Sequence, residues 1–137
     1  MAAESPKELV LRMHEELLRT RDPGRVEEFF ASNFVSHNLP PGLPEGVEGV
    51  KRFFGMFRDA LSDLDVTVDD VVAEGDRVAV ATTTTGRHDG ELFGVAPTGR
   101  RVAVTGIDLV RVDGKIVEHR GLTDTVGLLR QLGEGAS

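Results

Sequence analysis

Apolar positions recur at helical spacing in the first half of the chain. Leu9, Met13 and Leu17 are four residues apart and lie on one face of a helix. Before them, residues 5–8 (SPKE) form a capping box with proline at the first helical position. Residues 21–24 (RDPG) are a turn signal that ends the helix. This pattern predicts one amphipathic helix at the start of the chain.

Two more helices are predicted before the pattern changes. Residues 25–31 (RVEEFFA) suit a short helix, and residues 47–61 (VEGVKRFFGMFRDAL) suit a longer one with Phe54 and Phe57 on its apolar stripe. Between them, residues 33–38 (NFVSHN) are predicted to be a short extended piece. The proline-rich segment that follows is predicted to be an irregular loop.

From Leu64 onward, apolar and polar residues alternate with a period of two, which is typical of strands. About four antiparallel strands joined by hairpin turns are expected, followed by one short helix, TVGLLRQLG. We therefore expect an α+β fold. In it a curved antiparallel sheet wraps around the N-terminal helices into a cone with an internal cavity. One domain should span residues 1–137, with a disordered tail from about residue 133.

Composition narrows the classes of partner and chemistry. The net charge of −7 disfavours nucleic acid as a partner. The absence of cysteine removes disulfides, thiolate nucleophiles and cysteine zinc sites, and it is typical of a cytoplasmic protein. No apolar run approaches the roughly 20 residues of a membrane span, and the first residues do not have the pattern of a signal peptide.

Strand parity suggests which polar groups face the cavity. Asp108 is the one charge on the even-numbered, mainly apolar face of the strand RRVAVTGIDLVRV. We expect the even faces to be concave, although the odd face of the same strand is also partly apolar and leaves the direction open. The polar cluster expected on that side is His88, Asp108, Glu118, Arg120 and Asp124.

Each of these residues also has a structural interpretation. Asp124 precedes the last helix and suits an N-cap, whereas Glu118 and Arg120 could be a solvated pair. His14 and His119 are predicted to lie on the surface. The histidines lack a metal-binding spacing such as H-E-x-x-H, so no metal site is expected. Acid–base chemistry by carboxylates is the remaining catalytic hypothesis.

Two segments, GRHDGELFGVAPTGRRV and DGKIVEHRGLTDTVGLLRQLG, resemble the SnoaL-like polyketide cyclases of the nuclear transport factor 2-like superfamily. The resemblance implies closure of the last ring of an anthracycline precursor by intramolecular aldol condensation, without metal or cofactor. It also implies that Asp124 is the catalytic acid/base. The chain departs from the family where a pocket histidine of the penultimate strand is replaced by Asp108.

These considerations give a specific set of expectations. The catalytic candidates are Asp124, Asp108 and His88, and the substrate-binding candidates are Arg120, Glu118, His37, Phe54, Phe57 and Leu122. The expected ligand is a small, apolar or aromatic polyketide-like molecule, and the protein is expected to be a homodimer or homotetramer. Two alternatives stay open. One is another acid–base enzyme on the same fold, either a ketosteroid-type isomerase or an epoxide hydrolase. The other is a non-catalytic protein that binds a small ligand.

Overall fold

The computed structural model describes residues 4–20, 22–38 and 42–133. The predicted disordered tail from about residue 133 lies almost entirely outside these residues. The helices are α1 (Pro6–Met13), α2 (Val26–Phe29), α3 (Val47–Ala60) and α4 (Thr125–Gln131). α1 continues as a π-helical turn over His14–Leu18, and its capping box is present, with the Ser5 hydroxyl accepting from the Glu8 N–H. No described helix is long and apolar enough to cross a membrane.

Five strands form one curved sheet that does not close into a barrel. The strands are β1 (Phe30–Ser36), β2 (Leu61–Glu74), β3 (Arg77–His88), β4 (Arg101–Asp113) and β5 (Lys115–Thr123). Their order is β1-β5-β4-β3-β2, and all pairs are antiparallel except β1 with β5. The expected α+β architecture, with a curved sheet packed on N-terminal helices, is confirmed.

The second predicted helix is much shorter than its sequence pattern indicated. It makes a single turn, and the chain becomes extended at Phe30 because the backbone there pairs with β5 opposite Ile116. Residues 33–36 of the predicted extended piece therefore form the second half of a longer edge strand, β1, which begins at Phe30. Periodicity alone does not reveal this change, because the partner strand is more than 80 residues away in the sequence.

The concave face of the sheet holds the larger hydrophobic core. Even-numbered residues of β3 and β4, such as Val78, Val80 and Val110, are buried against Val10 and Phe54 of the helices. The even faces of these two strands are thus concave, as the alternation predicted. A second cluster around Phe57, Leu92 and Leu128 fills the end of the fold beneath α4.

A β-bulge reverses the parity of β5. Val112 pairs with Ile116, but the next residue of β4, Arg111, pairs with Glu118, so β5 contains one extra residue. Beyond the bulge, His119 pairs with Val110 on the concave face, while Arg120 pairs with Leu109 on the convex face. The prediction that the even face of β5 is concave is therefore wrong after the bulge, because a one-residue shift moves every later side chain to the other face.

Candidate active-site cavity

The helices and the concave face of the sheet enclose a cavity of about 540 Å³. This volume lies within the range of roughly 300–1,000 Å³ that is typical of small-molecule pockets. The walls are mainly apolar. They include Val10, Met13, Phe30, Phe34, Val50, Phe53, Phe54, Val66, Val80, Val104 and Val110. An organic ligand with a large hydrophobic surface would bind here favourably, because binding transfers that surface from water to an apolar environment.

Asp108 and His119 form a hydrogen-bonded pair on this wall. The Nε2 atom of His119 lies 2.7 Å from Oδ1 of Asp108. The side chain of His119 is 23% exposed and that of Asp108 is 34% exposed, so both are partly sheltered from water. β4 supplies the carboxylate and β5 the imidazole, and the bulge in β5 turns His119 toward the cavity. A bond from imidazole to carboxylate in such surroundings fixes the ring and strengthens when the ring is protonated.

Gly121 makes the space that the pair needs. A Cβ atom at this position would lie 2.2 Å from Oδ1 of Asp108 and 2.9 Å from Nε2 of His119, well inside contact distance. Asn38 holds the same glycine from the other side, because its Oδ1 accepts from the Gly121 N–H at 2.9 Å and its Nδ2 donates to the Gly121 carbonyl. The arrangement leaves no room for a larger residue at position 121 unless the pair moves.

Asp124 caps α4. Its Oδ1 accepts from the Gly127 N–H at 2.9 Å, and its backbone N–H donates to the Thr105 carbonyl. The residue is exposed, and it borders a shallow groove on the convex side together with Arg120. Its neighbours Thr123 and Thr125 line the cavity, whereas Asp124 itself does not. The capping interpretation describes its contacts, and its role in proton transfer stays a prediction.

His88, the last residue of β3, is buried beneath the segment that joins β3 to β4 and is not on the cavity wall. Its Nδ1 accepts from the Thr98 N–H at 3.2 Å and lies 3.0 Å from the Thr98 hydroxyl. These bonds tie the segment between β3 and β4 to the end of β3. The predicted placement of His88 in the cavity is therefore wrong, because the chain after β3 folds over its side chain and excludes it from both the cavity and solvent.

Glu118 belongs to a separate cluster outside the cavity. It lies 2.6 Å from His37 Nε2 and accepts from Arg111 Nε at 3.2 Å. The hydrogen bond with His37, followed by that with Arg111, lowers the pKa of the Glu118 carboxyl below its usual value. The prediction that Glu118 and Arg120 form part of the cavity floor is wrong, because the bulge turns both side chains to the convex face. His37, predicted to bind substrate, follows β1 and contacts Glu118 without lining the cavity.

The remaining candidates divide between the cavity and the core. Phe54 lines the cavity and Leu122 borders it, whereas Phe57 packs in the second core cluster. His14 and His119, both predicted to be surface residues, are on the cavity wall. His14 follows Val10 by four residues, so helical spacing already contained its signal. The position of His119 on the cavity wall depends on the bulge in β5, which the sequence pattern does not reveal.

The cavity can support proton transfer to and from an organic ligand. Its wall carries one carboxylate–imidazole pair, and the threonine hydroxyls of residues 82, 84, 123 and 125 can bind ligand oxygens. No group of three or more histidines and carboxylates suited to a metal ion occurs among the described residues.

Comparison with known proteins agrees with the fold. The family model for SnoaL-like polyketide cyclases matches residues 8–132. The chain is 34% identical over 113 residues to the nogalonic acid methyl ester cyclase of Streptomyces nogalater, covering 80% of this chain and 84% of that protein. A shorter match, 54% identical over 50 residues, covers 36% of this chain and 34% of the aklanonic acid methyl ester cyclase of Streptomyces peucetius.

Two solved structures that share the fold come from Streptomyces species. TsrD from Streptomyces laurentii superposes with a TM-score of 0.85 at 29% identity, covering 97% of this chain and 98% of TsrD. IdmH from Streptomyces antibioticus superposes with a TM-score of 0.79 at 34% identity, covering 93% of this chain and 98% of IdmH. The likeness extends over nearly the whole of each protein. The chain therefore belongs to the SnoaL-like polyketide cyclase family.

Proposed function

We propose that the protein closes a carbon ring of a polyketide by intramolecular aldol condensation, with acid–base catalysis and no cofactor. The observation that supports this most directly is the Asp108–His119 pair, a carboxylate and an imidazole on the wall of a mainly apolar cavity. The similarity to two cyclases of polyketide acid methyl esters supports a substrate with an ester group. We also propose that the protein is cytoplasmic.

The reaction suits such a cavity. A carbon between a ketone and an ester is acidic enough for a positioned protein base to remove its proton. The resulting enolate then attacks a second ketone of the same molecule, and the new alkoxide takes up a proton. Holding a flexible chain in the folded shape accounts for much of the expected acceleration. The family resemblance assigns the base to Asp124, and this assignment competes with the cavity pair.

We expect the purified protein to convert an anthraquinone with a β-keto methyl ester side chain into a ring-closed isomer of unchanged mass. Chromatography coupled to mass spectrometry, with nuclear magnetic resonance of the product, measures the conversion. Because the proposed chemistry uses only side chains, the rate should be the same in the presence of a strong metal chelator. A rate equal to that of buffer alone, or one restored only by added metal, would contradict the proposal.

The two alternatives predict different outcomes in parallel assays. Migration of the double bond in a 3-oxo-Δ5-steroid indicates an isomerase, and opening of a cyclic epoxide indicates a hydrolase. Saturable binding of the anthraquinone ester without any product indicates a ligand-binding protein.

We also propose that the protein is a homodimer or homotetramer with two-fold symmetry. Apolar side chains of the convex face, Val72, Ile107 and Leu122, are 64%, 61% and 75% exposed in the single chain. Such a surface favours association with an identical copy. Light scattering at micromolar concentration should give a mass of at least twice the 14.8 kDa of one chain. A mass of a single chain would overturn this proposal.

A further inference from the structure

We infer that His119 is the group that moves the proton during ring closure and that Asp108 is its positioning partner. The inference rests on the proposed function, because it names the base for that reaction. It differs from the assignment that the resemblance implies, which places the base on Asp124. The described structure separates the two positions: His119 lines the cavity, and Asp124 lies outside it.

The hydrogen bond between the pair determines which nitrogen can act. An ionised carboxylate only accepts hydrogen bonds, so Nε2 of His119, at 2.7 Å from Asp108 Oδ1, carries a proton. In a neutral ring the other nitrogen, Nδ1, then holds a lone pair. None of the described residues forms a hydrogen bond with Nδ1, and the His119 ring borders the cavity. Nδ1 is therefore the nitrogen that remains to exchange a proton with a ligand.

The surroundings hold this arrangement in place. The ring of Phe34 has its centroid 6.4 Å from that of His119 and lines the same part of the cavity. Gly121 leaves the space that the carboxylate and imidazole occupy, and Asn38 fixes the backbone of that glycine through two hydrogen bonds. A base whose position is set in this way needs little rearrangement when substrate binds.

The proton and electron balance closes without any further reactant. Nδ1 takes the proton from the carbon between the ketone and the ester, and the electron pair of that C–H bond forms the enolate. The enolate carbon bonds to the acceptor ketone carbon, whose π electrons move to oxygen. Nδ1 returns its proton to that oxygen and gives a tertiary alcohol. While the ring is doubly protonated, Asp108 stabilises its positive charge, as carboxylates do for catalytic histidines.

The test is His119→Gln, because glutamine keeps an N–H near the place of Nε2 but cannot accept a proton at neutral pH. Two reactions are measured on both proteins. One is cyclisation of the anthraquinone β-keto ester. The other is deuterium uptake by an analogue that keeps the acidic C–H but lacks the acceptor ketone, measured above the buffer rate. We expect kcat for cyclisation and the rate of deuterium uptake both to fall by about 10²–10⁴-fold, with KM changing by only a few-fold.

The two reactions separate failure of the inference from failure of the proposed function. If wild type exchanges deuterium but does not cyclise the ester, and the variant loses exchange, the ring-closure function fails and the assignment of His119 stands. If wild type cyclises the ester and the variant matches it in both reactions, the assignment of His119 is overturned and the function stands. If wild type does neither, both are overturned.

A measurement on the wild-type protein needs no variant to fold. Nitrogen-15 resonances of the ligand-free protein at neutral to mildly alkaline pH should show His119 protonated at Nε2 and unprotonated at Nδ1. Loss of the Nε2 proton signal in Asp108→Ala would show that the carboxylate holds the tautomer. A wild-type ring protonated at Nδ1 and bare at Nε2 would overturn the inference.

Discussion

Asp108→Asn is expected to lower turnover by about 10²–10⁴-fold while leaving the fold and ligand binding close to wild type. Asparagine has the same shape as aspartate, and its carbonyl oxygen can still accept from His119 Nε2. It lacks the negative charge that stabilises the doubly protonated ring beside it. The loss should appear in kcat rather than in KM, because the charge matters most after the proton has moved. Steady-state cyclisation assays measure both constants.

The same aspartate-to-asparagine substitution at Asp124 tests whether the loss of turnover is specific to Asp108. Asparagine caps helices about as well as aspartate, so Asp124→Asn should keep the hydrogen bond to Gly127 and the stability of α4. It removes the carboxylate that the family resemblance assigns as the base. The pair of variants therefore compares two carboxylates by one identical chemical change.

The comparison has two opposite outcomes. Loss of turnover in Asp108→Asn with near-normal turnover in Asp124→Asn supports the cavity pair. Loss in Asp124→Asn with normal turnover in Asp108→Asn supports the base implied by the resemblance and contradicts the role of Asp108 and His119. Thermal unfolding of both variants checks that neither result comes from a destabilised fold.

Gly121→Ala is expected to lower turnover by about 10–10²-fold without unfolding the protein. The added methyl group would overlap Asp108 Oδ1 and His119 Nε2, which are the ends of side chains that can rotate away. The backbone at Gly121 does not have a positive φ, so alanine causes no strain there. The substitution therefore displaces the Asp108 and His119 side chains, and small displacements of a catalytic group lower the rate by such factors.

Gly55→Ala is the matched control. Gly55 lies within α3, and a Cβ atom there meets nothing within 4 Å. Alanine should stabilise the helix by about 0.5–1 kcal/mol relative to glycine and leave turnover unchanged. Denaturant unfolding and the cyclisation assay are measured on both variants. Full activity in Gly121→Ala would show that the position of the Asp108–His119 pair does not limit catalysis.

Sequence alone predicted the architecture because its signals are local. The capping box at Ser5, the apolar stripe of α3 and the alternation of β3 and β4 each occur within a few residues of one another. They gave the order of the main elements and the concave face of the central strands. The two motifs at residues 86–102 and 113–133 indicated the family. Asp108 was found in the same way, as the one charge on an apolar strand face.

Only the tertiary structure determined which side chains line the cavity, because this depends on strand pairing between residues that are distant in the sequence. β1 begins at Phe30 since β5 pairs with it there, and this pairing overrides a short helical pattern. The bulge in β5 arises from its register with β4, and one extra residue exchanges the faces of every side chain that follows. For this reason Arg120 faces the convex groove, and His119, which looked like a surface residue, meets Asp108 on the cavity wall.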